Sequence, residues 1–222
     1  MQWLVDGIKS IITVLYNVTD TIGFPSYALA IILLTVLLKI ALYPLSVKQM
    51  ESMKGMQLVQ PKVQEIQKKY KNDKEKMNKA IMDLYKEYNV NPAAGCLPLL
   101  VQMPILIGLF TALRDYSFEP VAHAKFFWIS NLSNPDPLYI LPILVAAATF
   151  VQSKITTPAS TGASNSTTMM MLYFMPLFIG YISMKFAAGL ALYWVIFNIL
   201  GALQQYLINK KPLAEKGEVG NK

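Results

Sequence analysis

The run "LTVLLKIALYPL", residues 34–45, holds one residue whose chemistry does not suit its surroundings. Lys39 stands in a segment that otherwise reads as the middle of a membrane-spanning helix, where a lysine costs roughly 2.5–3.5 kcal/mol on insertion scales. Its face is polar. Thr35 lies one turn earlier, Tyr43 and Ser46 follow at +4 and +7, and all four fall within about 80° of one helix side. Two other apolar segments carry similar stripes: Thr149, Gln152 and Thr156 at +3 and +4, and Trp194, Asn198 and Gln205 at +4 and +7. Gln102 adds a further amide in a fourth. Polar groups facing lipid are costly, so such stripes should face one another or water. Together they predict a polar cavity inside a helix bundle, with Lys39 in it. Two plainer roles stay open. The lysine stem can snorkel to an interface near Ser46, roughly 10 Å of helix rise away, and a single Gln or Asn can serve as interhelical glue.

The same inventory offers little to a catalyst. Cys96 and His123 are the only residues of their types, too few for an internal disulfide or a Cys/His metal site. No GxSxG, HExxH or Walker sequence occurs. We therefore expect no enzyme activity, no catalytic residue, no cofactor and no metal. Cys96 reads as a small packing residue and His123 as an ordinary interfacial one.

The segments that must position these groups are those of a membrane protein. Of 222 residues, 54% are hydrophobic and 15% charged, and mean hydropathy is +0.38, which excludes an ordinary soluble domain. The net charge of +7 comes almost wholly from lysine, since Arg114 is the only arginine. These lysines flank apolar spans rather than lining an aromatic surface, so an anionic membrane is the expected partner and nucleic acid is not. Stretches long enough to cross a bilayer predict five spans, at 27–46, 97–113, 138–156, 169–184 and 190–208. Residues 1–20 place Trp3, Leu4, Ile8, Ile11, Ile12 and Leu15 at helical spacing, broken by Asp6, Lys9 and Ser10, which predicts an interfacial amphipathic helix. With neither a cleavable signal pattern nor a lipid-attachment cysteine near the start, the chain reads as a whole working unit.

Residues 48–92 form the one long polar region, with ten lysines against six acidic residues. Apolar residues recur at helical spacing at Met56, Val59, Val63, Ile66 and Tyr70, and again at Met77, Ile81, Leu84 and Tyr88. With "KNDKEK" between the two sets, the pattern predicts a hairpin of two amphipathic helices. Pro61 should sit in a first turn or make a kink, and "NPAAG" should end the second helix. The lysines set the orientation: region 48–92 and the tail 209–222 are cytoplasmic, and the loop 114–137, with only Arg114 and Lys125, lies outside. The N-terminus is then outside and the C-terminus inside. The Ser/Thr-rich loop 157–168 should be cytoplasmic and flexible. The fold class expected is thus an all-α polytopic membrane protein: five transmembrane helices around a hydrophilic groove, a cytoplasmic helical hairpin and an N-terminal interfacial helix.

At "NPAAGCLPLLVQMPI" (91–105) the chain resembles the YidC-type membrane protein insertases, relatives of the mitochondrial Oxa and chloroplast Albino proteins. The segments "LYPLSVKQMESMKGMQLVQPKVQEIQKKY", "DPLYILPIL" and "GLALYWVIFNILGALQQYLI" extend the resemblance, in order, over about residues 20–210. It implies a groove open to the cytoplasm and to lipid and closed to the outside, through which clients slide into a bacterial plasma membrane. By the same resemblance the groove cation falls on Lys39 and its neighbouring threonine on Thr35. The polar positions of the second and third spans fall on Gln102 and Gln152, and the client-facing aromatic pair on Tyr193 and Trp194; Asn198 joins them through its stripe. The family usually has arginine where this chain has Lys39, so charge is kept and a bidentate fork is lost. The length resembles the short bacterial forms. Implied partners are nascent membrane proteins, membrane lipids, the ribosome, the signal recognition particle with its receptor, and the Sec translocon. Two rivals remain at this point: a small channel or transporter, against which no internal repeat is found, and a structural partner of other membrane complexes.

Overall fold

The computed structural model describes residues 2–88, 90, 91, 97–156 and 169–210. Cys96, most of "NPAAG", the loop 157–168 and nearly all of the basic tail lie outside the described residues. Eight α-helices account for most of the described chain: α1 Gln2–Thr21, α2 Tyr27–Ala41, α3 Tyr43–Lys69, α4 Lys74–Glu87, α5 Leu97–Arg114, α6 Ile140–Thr156, α7 Met175–Ser183 and α8 Ala188–Lys210. The only β-pairing among the described residues is an isolated bridge between Phe126 and Ile129.

Helix α1 buries Val5, Ile8, Ile12, Tyr16 and Thr19, spaced +3, +4, +4 and +3, and packs this face on α2 and α5. Its opposite side leaves Trp3, Val14 and Val18 exposed. Ser26 starts α2 by accepting a hydrogen bond from the Leu29 N–H (3.3 Å). The helix ends at Leu42 because Pro44 has no N–H to continue the ladder, and its ring would clash with the carbonyl four residues back. The same proline is well suited to the first turn of a new helix, so α3 begins at once. The two helices meet at 62°.

The hairpin expected from 48–92 is formed by α3 and α4. Val59 and Val63 of α3 pack with Leu84 of α4, with Ile66, Ile81, Tyr85 and Val90 around them. Asp73 accepts from the Lys76 N–H (3.0 Å) to cap α4, and that bond, with the Lys76 ammonium, holds its carboxyl below the usual carboxylate range. Pro61 lies in the interior of α3 rather than in a first turn, because the helix begins at Tyr43.

Helix α6 packs against both α7 and α8, and α8 also meets α2, α3 and α5, so it sits at the centre of the bundle. A π-helical turn, Met170–Phe174, leads into α7. Gly180 lets α7 approach α6 closely: a methyl there would stand 2.8 Å from the Ala146 Cβ. At one end the loop after α5 brings Tyr116 and Phe118 to Tyr27, which stacks on Tyr16 at 4.1 Å. His123 joins this cluster through its Nδ1, 2.6 Å from the Tyr16 hydroxyl.

Asp136, just before α6, is 3% exposed. Its carboxylate accepts from Trp128 Nε1 (2.8 Å) and from the backbone N–H groups of Leu138 (3.0 Å) and Leu141 (2.7 Å). These donors repay the cost of removing the charge from water and tie the loop to the start of α6.

By length and apolarity, α8 over Ala188–Ile208 is the one described helix that alone could cross a membrane; the bent pair of α2 with Tyr43–Met56 would be a second. The segments Val101–Arg114, Ile140–Thr156 and Met170–Ser183 are shorter apolar helices.

Candidate functional site

Of the polar residues singled out in the sequence, Lys39, Gln102, Thr149 and Gln152 meet α8. Thr35 is fully buried, and its Oγ1 donates to the Ile31 carbonyl of its own helix (2.7 Å). One turn later Lys39 is half-buried and reaches α8, where its Nζ sits 3.6 Å from the centroid of the Phe197 ring. The Phe197 ring in turn lies 5.6 Å from that of Tyr193. Tyr193 is 1% exposed, and its hydroxyl accepts from Gln102 Nε2 of α5 (3.0 Å). One amide, two aromatic rings and one ammonium therefore line a path from α5 across α8 to α2.

Gln152 of α6 completes it. A methyl built on Gly201 would lie 3.0 Å from Lys39 Nζ, and 3.2 and 3.3 Å from the side-chain oxygen and nitrogen of Gln152. The ammonium and the amide thus meet over the bare backbone of Gly201. Gln152 Oε1 is buried without a hydrogen-bond partner among the described residues. Asn198 faces elsewhere on α8: its Nδ2 donates to the Trp194 carbonyl (2.8 Å) and stands 3.5 Å from Thr149 Oγ1. Trp194 is half-buried against the apolar core.

No described carboxylate forms an ion pair with Lys39; the described ion pairs all lie elsewhere, at Asp73, Asp83 and Asp115. The ammonium rests on the negative face of an aromatic quadrupole instead of a counter-ion. This leaves its N–H donors and the Gln152 carbonyl able to meet an incoming polar group. Sequence reasoning missed Phe197 and Gly201, which look like apolar filler in α8. Their signal was spacing: Tyr193, Phe197 and Gly201 recur every four residues, on the face next to the Trp194–Asn198–Gln205 stripe.

The chain matches the family described as 60Kd inner membrane protein over residues 17–215. It belongs to that family. The resemblance seen at "NPAAGCLPLLVQMPI" is borne out. A relative from Fusobacterium nucleatum named "Membrane protein insertase YidC" is 40% identical over 213 residues, covering 95% of this chain and 99% of that one. Relatives of the same name from Syntrophus aciditrophicus and Geobacter sp. are 42% and 44% identical, covering 95% and 83% of this chain. The chain spans only 37% and 34% of those two proteins. A solved structure titled "Active YidC insertase crystal structure with the first transmembrane domain resolved" superposes with a TM-score of 0.72 at 25% identity. It covers 92% of this chain, which spans 46% of that one. The helical architecture is therefore that of this family, whose described setting is the inner membrane.

Proposed function

We propose that this chain is a membrane protein insertase that works without covalent chemistry. One observation carries the reading: a half-buried ammonium with no carboxylate partner among the described residues, held beside an amide where α2, α6 and α8 converge. A cation there acts through a lower effective dielectric than water provides. At an effective dielectric of 20, a unit pair at 4 Å is worth roughly 4 kcal/mol. A client's polar or acidic outside tail can halt at Lys39, while burial of the client's own span supplies the drive, about 25 cal/mol per Å² of apolar surface. Gln102 and Gln152 offer polar contacts, half-buried Trp194 forms the aromatic wall with buried Tyr193 packed behind Gln102, Asn198 ties α8 to α6 through Thr149, and Thr35 supports the α2 side.

In this reading five segments cross the bacterial inner membrane around the groove, with the N-terminus outside and the C-terminus cytoplasmic. Helix α1 lies at the outer interface, and the α3–α4 hairpin meets the ribosome, the signal recognition particle and its receptor, or the Sec translocon. Nascent membrane proteins are the clients, received with or without the translocon.

Reconstitution tests the activity. Purified protein in vesicles should insert a small single-span client without conducting ions. Ion conductance with no insertion would favour a channel, and neither activity would favour a structural partner. The hydration of the groove has its own check. Cysteines replacing Gln102 and Gln152, in a Cys96→Ser background, should react with a membrane-impermeant thiol reagent from the cytoplasmic side. A cysteine at the buried Thr35 should be protected. Labelling only from the outside, or at neither amide position, would rule out a cytoplasm-facing cavity.

A further inference from the structure

We infer that Phe197 and Gly201 form a seat for the Lys39 ammonium, and so are positioning residues for the reception of anionic client groups. The inference rests on the groove reading above and adds two residues to it. Three observations meet here. The ammonium stands 3.6 Å from the Phe197 centroid, close enough for a strong cation–π contact. Gly201, one turn further along α8, leaves a space that any side chain would fill, since even a Cβ would come within 3.0 Å of Nζ and 3.2 Å of Gln152 Oε1. No described carboxylate competes for the charge.

The chemistry of the seat explains its value. A carboxylate partner would neutralise Lys39, and an incoming client acid would have to displace it. An aromatic face attracts the cation without occupying its N–H donors in hydrogen bonds, so a client carboxylate can bind from the open side. The ring also holds a flexible four-carbon stem in one place, which reduces the ordering required when the client arrives. Gly201 keeps the amide of Gln152 beside the same cation, giving the client both a donor and an acceptor.

A double-mutant cycle tests this. Phe197→Leu keeps an apolar side chain and removes the ring; it should slow insertion of acidic-tailed clients by roughly three- to tenfold, the range expected of a partly desolvated cation–π contact. Phe197→Tyr, which keeps the ring, should restore the rate. In a Lys39→Ala background, Phe197→Leu should have no further effect, an outcome that a general packing role would not produce. Gly201→Val supplies a second route: it fills the seat and should give a loss of similar size, again absent when Lys39 is alanine. Rates are compared at equal reconstituted protein, so a variant that accumulates poorly is still read. Full additivity of Phe197→Leu and Gly201→Val with Lys39→Ala would overturn the seat while leaving the groove cation intact. A Lys39→Ala protein that inserts acidic-tailed clients at the parental rate would instead overturn the groove reading itself.

Discussion

Replacing Lys39 by alanine should lower insertion of clients with acidic outside tails by about tenfold or more. A unit pair at 4 Å is worth roughly 4 kcal/mol at an effective dielectric of 20, and a third of that is already a factor of ten. Lys39→Arg should keep activity, because a guanidinium keeps the charge and stacks well on an aromatic ring such as Phe197. Lys39→Glu should be worst, since it repels the same tails. Clients with short uncharged tails should respond less to all three changes. The measurement is insertion rate in reconstituted vesicles, with a client series that differs only in tail charge. A merely snorkelling lysine predicts the opposite for alanine: an expensive charge is removed and every client inserts as before. The two readings separate on one variant.

The second large effect is on stability, at Asp136. Its buried carboxylate serves three donors, so Asp136→Ala leaves the Trp128 indole N–H and two backbone N–H groups without a partner. Leaving such groups unmade costs about 1–3 kcal/mol each where no water reaches, with partial relief from relaxation. A net loss of about 2–4 kcal/mol is expected, comparable with the loss of a strong helix cap plus a buried bond. Asp136→Asn should fall between. The amide oxygen in the Oδ1 position can still accept from Trp128 and Leu138, but its NH₂ then faces the Leu141 N–H, donor against donor. Denaturant titration of micelle-solubilised protein should rank the three as Asp, Asn, Ala by midpoint. Equal midpoints for all three would show that water replaces the carboxylate.

The contrast between these two residues shows what the sequence could and could not display. Lys39 announced itself because a charge in an apolar run violates a strong local rule, and Gln102 and Gln152 did so more weakly. Helical periodicity likewise exposed the paired stripes of the hairpin, where Val59, Val63 and Leu84 are buried, but only part of the α1 face: Ile8 and Ile12 are buried, whereas Trp3 and Ile11 are exposed and Val5, Tyr16 and Thr19 take their place. Asp136 broke no such rule, since an aspartate before a helix in a polar loop is ordinary. Its burial appears only in the fold, where Trp128, eight residues earlier, folds back to donate to it. Phe197 and Gly201 were silent for a related reason. A phenylalanine and a glycine in an apolar helix look like packing until a neighbouring helix delivers a cation between them. The break at Leu42 also escaped the hydropathy reading, because Pro44 interrupts the backbone ladder without changing the apolar character of the run.

That break has an electrostatic consequence. Lys39 belongs to the last turn of α2, where the final carbonyls have lost their helical N–H partners and carry roughly half a unit of negative charge. Only part of this is quenched, by the Leu42 N–H toward the Leu38 and Ile40 oxygens. Had the chain run on straight through residue 42, the same lysine would sit at mid-helix, with no dipole end beside it. By stopping there, the backbone supplies a fixed, diffuse counter-charge, which the N-terminus of α3 at Tyr43 partly offsets, so its net worth is under about 1 kcal/mol. Unlike an acidic side chain, it cannot be protonated, swing away or form a tight pair. Among the described residues the cation is thus held by polarisation rather than by a carboxylate, and an arriving acid finds a charge that is steadied yet still open to pairing.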